Sequence, residues 1–338
     1  MKGRRGATYN PDDPFQKHST EYEPGMAPWE EQEDQLSTKC IAIHPKTILN
    51  KVESPDVPYN WSMNPYQGCE HGCIYCYARP THNYWGYSAG LDFEKVVLYK
   101  PQAADLLRAE FARDRWKPAP IMLSGNTDCY QPVERRFGLT RELLITCNEY
   151  GNPAAIITKN ALIGRDMDLL QEMSSKNMIA VAMSITTMNT DLQPLLEPRA
   201  AAGAKRMQLV RRLSDAGIPV SVMMAPIIPG LNDDEIPEMI ELAKENGAYN
   251  IGFTMVRLNG PLEPLFQDWI EQHFPDKAER VMMLIREIHQ GRTGDSSFGR
   301  RMRGQGPIAR SIHKLFAIQK EKAFGKPTRI QLATEHFT

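Results

Sequence analysis

Residues 64–86, NPYQGCEHGCIYCYARPTHNYWG, are the stretch on which the reading of the fold turns. Cys69, Cys73 and Cys76 stand in it with the spacing C-x3-C-x2-C. Three thiolates so placed can hold an iron–sulfur cluster and leave one iron without a protein ligand, whereas clusters that only carry electrons are normally closed by four. An open iron invites a small molecule, so the motif points toward chemistry rather than electron storage. Gly68 and Gly72 flank the first two cysteines and let the loop wrap tightly. Structural zinc and ordinary core thiols are the alternatives. Zinc sites usually bring paired C-x2-C units and four closed ligands. No second pair occurs here, and His71, inside the loop, would be cramped as a fourth ligand.

The chain around this motif has 338 residues, 41% hydrophobic and 24% charged, which is the profile of a soluble globular protein. That length suits one large α/β barrel with appendages, or two ordinary domains. A formal net charge of −1 says nothing about partners, so any charge argument is local. No apolar run approaches the roughly 18 residues that a membrane span needs. The start, MKGRRGATYNPDDPFQKHST, is basic but has no apolar core behind it, unlike a secretory signal. The expectation is a cytoplasmic protein with no membrane partner, whose six cysteines stay reduced.

Residues 1–40 carry four prolines and eight Asp/Glu against five Lys/Arg, with few aliphatics. Such a segment cannot offset its chain entropy by burial and is expected to be extended or disordered. Beyond it, short apolar runs alternate with segments of helical period. The runs are 120–125 (PIMLSG), 155–159 (AIITK), 179–185 (IAVAMSI), 218–227 (IPVSVMMAPI) and 249–256 (YNIGFTMV), with a shorter one near 61–64. Met207, Val210 and Leu213 share a face before Gly217, and Ile236, Met239, Ile240 and Ala243 do so before Gly247; each glycine is placed as a helix C′ residue. Asn232 reads as an N-cap. Alternating β and α units build a parallel sheet, and runs apolar throughout suit strands covered on both faces. An open barrel and a doubly wound sheet remain alternatives by pattern alone. In both, ligands gather at the C-terminal ends of the strands.

Polar residues recur at those ends: Ser124, Gly125, Asn126, Thr127 and Asp128 after PIML, Lys159 after AIIT, and Ser184 with Thr186 after IAVAM. Further along, helical stretches near 262–273 and 276–290 precede a segment, 291–326, with nine Lys/Arg against Asp295 and Glu321. Its arginines read either as a nucleic-acid patch or as a solvated helix face. Its stripe Ile308, Ile312, Leu315 and Phe316 reads as a helix face docked on the barrel to close its open side.

C-x3-C-x2-C with the aromatic Tyr75 before the third cysteine, just after the first strand of a βα series, resembles the radical S-adenosylmethionine (SAM) superfamily. The runs YCYARPTH, NTDCYQPVE, ITKN, MSIT, EPRAA and APIIPGLND resemble its spore-photoproduct-lyase-like branch. The resemblance implies a partial (βα)6 barrel of TIM type at 59–256, behind an arm at 1–58 and before a helical, basic extension at 257–338. It also implies a [4Fe–4S] cluster on Cys69, Cys73 and Cys76, SAM on the open iron, and a low-potential electron donor of flavodoxin or ferredoxin type. Reductive cleavage of SAM would then give a 5′-deoxyadenosyl radical that takes hydrogen from a substrate.

On the same footing, Lys159 and Ser184 bind the SAM carboxylate, Asn126 and Thr127 lie near its amino group, and Tyr75 meets adenine through its backbone. Arg199 is a candidate for the carboxylate or for a salt bridge with Glu197. Ile227 and Ile228 flank the adenine or pack in the barrel. The branch's hydrogen-donating cysteine aligns with Gly125, and Cys129, four residues on, is the candidate thiol. The competing class is a non-catalytic metal-binding module, holding zinc or iron–sulfur, that docks nucleic acid through 291–326. An electron carrier lacks its fourth cysteine.

Overall fold

All six apolar runs become parallel strands. The computed structural model describes residues 5–12, 37–326 and 330–338, so the expectation of disorder falls outside the described residues for 13–36. The strands are β1 (Lys39–Ala42), β2 (Leu49–Lys51), β3 (Trp61–Met63), β4 (Tyr66–Gln67), β5 (Val96–Tyr99), β6 (Ile121–Leu123), β7 (Ala154–Thr158), β8 (Ile179–Ser184), β9 (Val220–Ile227) and β10 (Asn250–Met255). The helices are α1 (Leu91–Lys95), α2 (Ala103–Phe111), α3 (Glu134–Phe137), α4 (Leu139–Glu149), α5 (Met167–Ser175), α6 (Gln193–Leu196), α7 (Gly203–Asp215), α8 (Ile236–Glu245), α9 (Leu262–His273), α10 (Pro275–Ile288) and α11 (Gly306–Phe324).

In the main sheet β3, β6, β7, β8, β9 and β10 lie side by side in chain order, all parallel. A doubly wound sheet reverses its strand order at a switch point. This one never does, so the architecture is an open (βα)6 barrel. Within each strand the residues alternate between two faces. Ile156, Val181 and Val222 pack into the continuous core shared with Leu143, Leu170, Leu213 and Ile240 of the helices. Each such side chain contributes about 1.5–3 kcal/mol on burial. Gly217 and Gly247 take φ of +73° and +80°, as their C′ placement requires.

Several parts differ from expectation. The stretch read as an arm contributes β2, antiparallel to β3 at the sheet edge, and β1, which joins β5 and β4 in a small second sheet. Residues 5–12 form no strand and bend at Gly6, Thr8 and Tyr9, but they are docked, with Ala7 in the core. Asn232 makes no capping bond to its own helix. It is buried, and joins the ends of β8 and β9 by accepting from Ile228 N at 2.7 Å and donating to the Thr186 carbonyl at 2.8 Å.

The open edge at β10 is covered by the chain beyond it. Met255 N donates to the Met302 carbonyl at 2.9 Å and Lys320 Nζ to the Ile251 carbonyl at 2.6 Å. The Phe316 ring sits 4.4 Å from that of Phe253. The docked stripe of α11 is Ala309, Ile312 and Phe316, spaced i, i+3, i+7, and Leu315 lies off this face, exposed. At the opposite end of the barrel, residues 330–338 run beneath the strand starts. Leu332 packs on Ala155 and Ala180, and Ala333 N donates to the Asn177 carbonyl at 2.9 Å.

Candidate active site

The cysteine loop follows β4 and is fastened to its surroundings through its backbone. Cys69 N donates to the Phe93 carbonyl at 2.8 Å and Ile74 N to the Leu196 carbonyl at 3.2 Å. Gln131 bridges the loop's start, its Oε1 accepting from Glu70 N and its Nε2 donating to the Gly68 carbonyl, both at 2.9 Å. The three thiols are free and largely buried. Cys69 and Cys76 share an apolar nest with Ala78 and Phe93. Burial pushes all three thiols above the ordinary range, and for Cys69 the other two cysteines add to this. Thiols so placed ionise when a cation is there to receive them.

Three cysteines against an apolar wall fit an iron–sulfur cluster, which meets each ligand at a different iron. Among the described residues, no three His, Cys, Asp or Glu side chains converge on a point for a single ion. His71 does not join the cysteines either: buried, it faces Asp128 at 3.4 Å through Nδ1 and Asn160 at 3.0 Å through Nε2.

Beside the loop, the ends of β7, β8 and β9 build one polar group. Lys159 Nζ donates to Ser184 Oγ at 2.8 Å, Thr186 Oγ1 at 3.1 Å and the Ala225 carbonyl at 3.2 Å, and pairs with Glu197 at 3.0 Å. Glu197 is fully buried and also holds the fully buried Arg206. Burial alone would raise the Glu197 carboxyl, but Arg206 and Lys159 together hold it well below the usual carboxylate range. Tyr75 links this group to the cysteine loop. Its hydroxyl bonds Glu197 and Thr186 Oγ1, and Lys159 Nζ lies 5.5 Å above its ring.

The other expected residues divide. Asn126 faces the loop, with Nδ2 donating to Gln67 Oε1 at 3.1 Å and Thr81 Oγ1 at 3.2 Å. Thr127 is buried and gives its hydroxyl to the Tyr66 carbonyl at 2.7 Å. Ser124, which opens this turn, has φ of +72°, a conformation unusual for a side-chain-bearing residue and often met at functional sites. Arg199 pairs with Glu70 at 3.1 Å rather than with Glu197, so it ties down the cysteine loop. Ile227 and Ile228 are fully buried in the core, with no surface left for a ligand. Cys129 is fully buried as well. Its backbone N donates to Ser124 Oγ at 2.8 Å and its carbonyl accepts from Thr140 Oγ1 at 2.5 Å.

Sequence reasoning treated Glu197 only as a partner for Arg199, and it missed Arg206. Glu197 follows α6 on the way to α7, and Arg206 lies within α7 beside the apolar period of Met207 and Val210 that drew the reading. Exposed aromatics at the mouth were missed too. Tyr77 donates to the Gly125 carbonyl at 2.9 Å, with Arg257 4.9 Å above its ring. Arg301 lies 4.7 Å over exposed Phe298 and pairs with Asp56 at 2.7 Å.

A family model for the radical SAM superfamily matches residues 63–243, more than half of the 338-residue chain. The chain belongs to that superfamily. Its members work with a [4Fe–4S] cluster and SAM, drawing an electron from a reductant. An uncharacterized protein of Mycobacterium tuberculosis is 31% identical over 71% of this chain and 72% of its own length. An uncharacterized protein of Methanocaldococcus jannaschii is 29% identical over 72% of this chain and 86% of its own. Among solved structures, spore photoproduct lyase complexed with dinucleoside spore photoproduct aligns with a TM-score of 0.59 at 15% identity, over 85% of this chain and 80% of that one. A variant of that enzyme with bound AdoMet and dinucleoside spore photoproduct gives 0.59 at 16% identity over the same shares. At these identities the likeness is one of fold, and it places the chain in the radical SAM barrel class. Among the described residues, no helix is long and apolar enough to cross a membrane.

Proposed function

We propose that Cys69, Cys73 and Cys76 hold the [4Fe–4S] cluster, and that the Lys159–Ser184 group beside them receives SAM for radical chemistry on a nucleic acid. The observation that carries this is Tyr75, which bolts the cysteine loop to the cationic strand-end group through Glu197 and Thr186. Two cations, Lys159 and Arg206, face the one carboxylate of Glu197. One positive charge of that trio is left for an incoming carboxylate, and Ser184 adds a hydroxyl donor. Asn126, held by Gln67 before the loop and Thr81 after it, would meet the amino group. Tyr75 keeps its ring turned inward and leaves its backbone to the adenine. When bound, the cluster and SAM supply a one-electron cleavage of a C–S bond that yields methionine and a 5′-deoxyadenosyl radical, which takes hydrogen from the substrate. A low-potential donor of flavodoxin or ferredoxin type supplies the electron, in a reducing cytoplasm that suits six free cysteines.

A nucleic-acid substrate is supported by the mouth. Tyr77, Tyr84, Trp85 and Phe298 are exposed, and guanidinium planes of Arg257 and Arg301 lie over two of them. Aromatic faces receive unstacked bases, and arginines meet phosphates and stack in turn.

Lys159→Ala tests the assignment. Loss of a charged hydrogen bond costs about 1.5–3 kcal/mol, so SAM affinity should fall on the order of 10- to 100-fold. Iron content should stay at about four per chain. Unchanged SAM affinity would remove Lys159 from the site. Transfer of deuterium from a labelled oligonucleotide into 5′-deoxyadenosine is the expected sign of a nucleic-acid substrate, and transfer only from peptides or metabolites would refute it.

A further inference from the structure

Residues 5–12, RGATYNPD, run against the back of the cysteine loop, with bends at Gly6, Thr8 and Tyr9. Glu94 of α1 is fully buried and accepts from this segment with both oxygens: from Gly6 N at 2.9 Å and from Ala7 N at 2.8 Å. The same carboxylate holds Arg79, also fully buried, at 2.5 Å. Arg79 directs its remaining donors at the loop and its neighbour strand of chain. Nε reaches the Cys73 carbonyl at 2.9 Å, Nη2 the Gly72 carbonyl at 3.2 Å, and Nη1 the Gly90 carbonyl at 2.9 Å. Two side chains therefore connect the N-terminal segment to the carbonyls of the loop that carries the cysteines.

Direct contact adds to this linkage. A β-carbon on Gly6 would fall 1.7 Å from the Gly72 carbonyl oxygen, and one on Gly90 would fall 2.0 Å from that of Tyr9. Gly72 itself takes φ of +68°. The segment is pinned along its length. Arg5 Nη1 donates to the Glu94 carbonyl at 2.7 Å, Leu91 N to the Tyr9 carbonyl at 3.2 Å, and Asn10 and Asp92 bond reciprocally at 2.8 and 2.9 Å.

A buried ion pair is tolerated when further hydrogen bonds fill the groups around it. Here the segment fills Glu94 and the loop carbonyls fill Arg79, so neither end is independent of the other. We propose that residues 5–12 are a strap that sets the geometry of the cysteine loop, and with it the surroundings of the group that loop binds. The proposal rests on the assignment of Cys69, Cys73 and Cys76 as ligands. Gly6, Ala7, Arg79 and Glu94 are positioning residues, for none of them touches the reacting groups.

Gly6→Ala in the full-length chain tests the strap, backed by Asn10→Ala, which weakens docking only at an exposed bond. In the metal-free chain, hydrogen exchange at the amides of residues 69–79 should rise about tenfold in Gly6→Ala and less in Asn10→Ala, with β7, β8 and β9 unchanged. After anaerobic reconstitution, the reduced-cluster EPR signal, and its change on adding SAM, should shift at unchanged iron content. The strap is overturned if residues 5–12 open while 69–79 exchange at the wild-type rate. A wild-type chain that takes up no iron would instead refute the ligand assignment, and the exchange data would still decide whether the strap sets the loop.

Discussion

Glu197 gathers more of the mouth than any cysteine does, because Tyr75, Thr186, Lys159 and Arg206 all converge on it. Removing its charge leaves two cations facing a neutral amide in a buried site. Glu197→Gln should destabilise the chain by about 3–5 kcal/mol in chemical denaturation, since breaking one side of a buried pair strands the other. The pH dependence has a definite sign. The folded carboxyl is held below the ordinary range, so the unfolded chain binds the proton first as pH falls. The stability Glu197 contributes is complete above the unfolded carboxyl's range and drains away below it. Wild-type stability should therefore drop more steeply than that of Glu197→Gln between about pH 5 and 3. Parallel slopes would contradict the assignment of this charge. Lys159 and Ser184 were legible in sequence because strand ends are where a βα fold gathers ligands. Glu197 was not, since a carboxylate two residues from Arg199 looks like its partner, whereas the two side chains go to different elements.

At the scale of elements, β6, β7, β8 and β9 were readable because each is an apolar run that is mostly buried, while β3 is shorter and β10 only partly buried. The small sheet was not. Its strands β1, β4 and β5 are two to four residues long, too short to show a period. The strap escaped for a related reason: its hold is made by backbone N–H groups and glycines, which leave no hydrophobic pattern. By contrast α11 announced its docking through apolar spacing, and erred only at Leu315. Phe316 packs at a tilt against Phe253 at the sheet's last edge, and Phe316→Ala should cost about 3–5 kcal/mol through the cavity it leaves. A loss under about 1 kcal/mol in thermal or denaturant unfolding would show that α11 does not seal β10.

The whole molecule is a barrel whose two ends are treated differently. Residues 330–338 cover the strand starts, while the strand ends stay polar and ringed with exposed aromatics and arginines. Among the described residues, one end is covered and the other presents the polar strand ends, with the cysteine loop beside them. The basic segment at 291–326 divides between these tasks, with Lys320 holding β10 and Arg301 standing over Phe298 near the mouth. The fold could be read in outline from one motif and six runs. The direction of the site could be read from strand ends, but its buried wiring could not. The proposed chemistry joins a cluster on the three cysteines to SAM bound at Lys159 and Ser184. Its most direct test is 5′-deoxyadenosine formation by the anaerobically reconstituted, reduced chain, wild type against Cys73→Ala. About four irons and 5′-deoxyadenosine are expected from the wild type, and neither from Cys73→Ala; undiminished 5′-deoxyadenosine from Cys73→Ala would refute the ligand assignment.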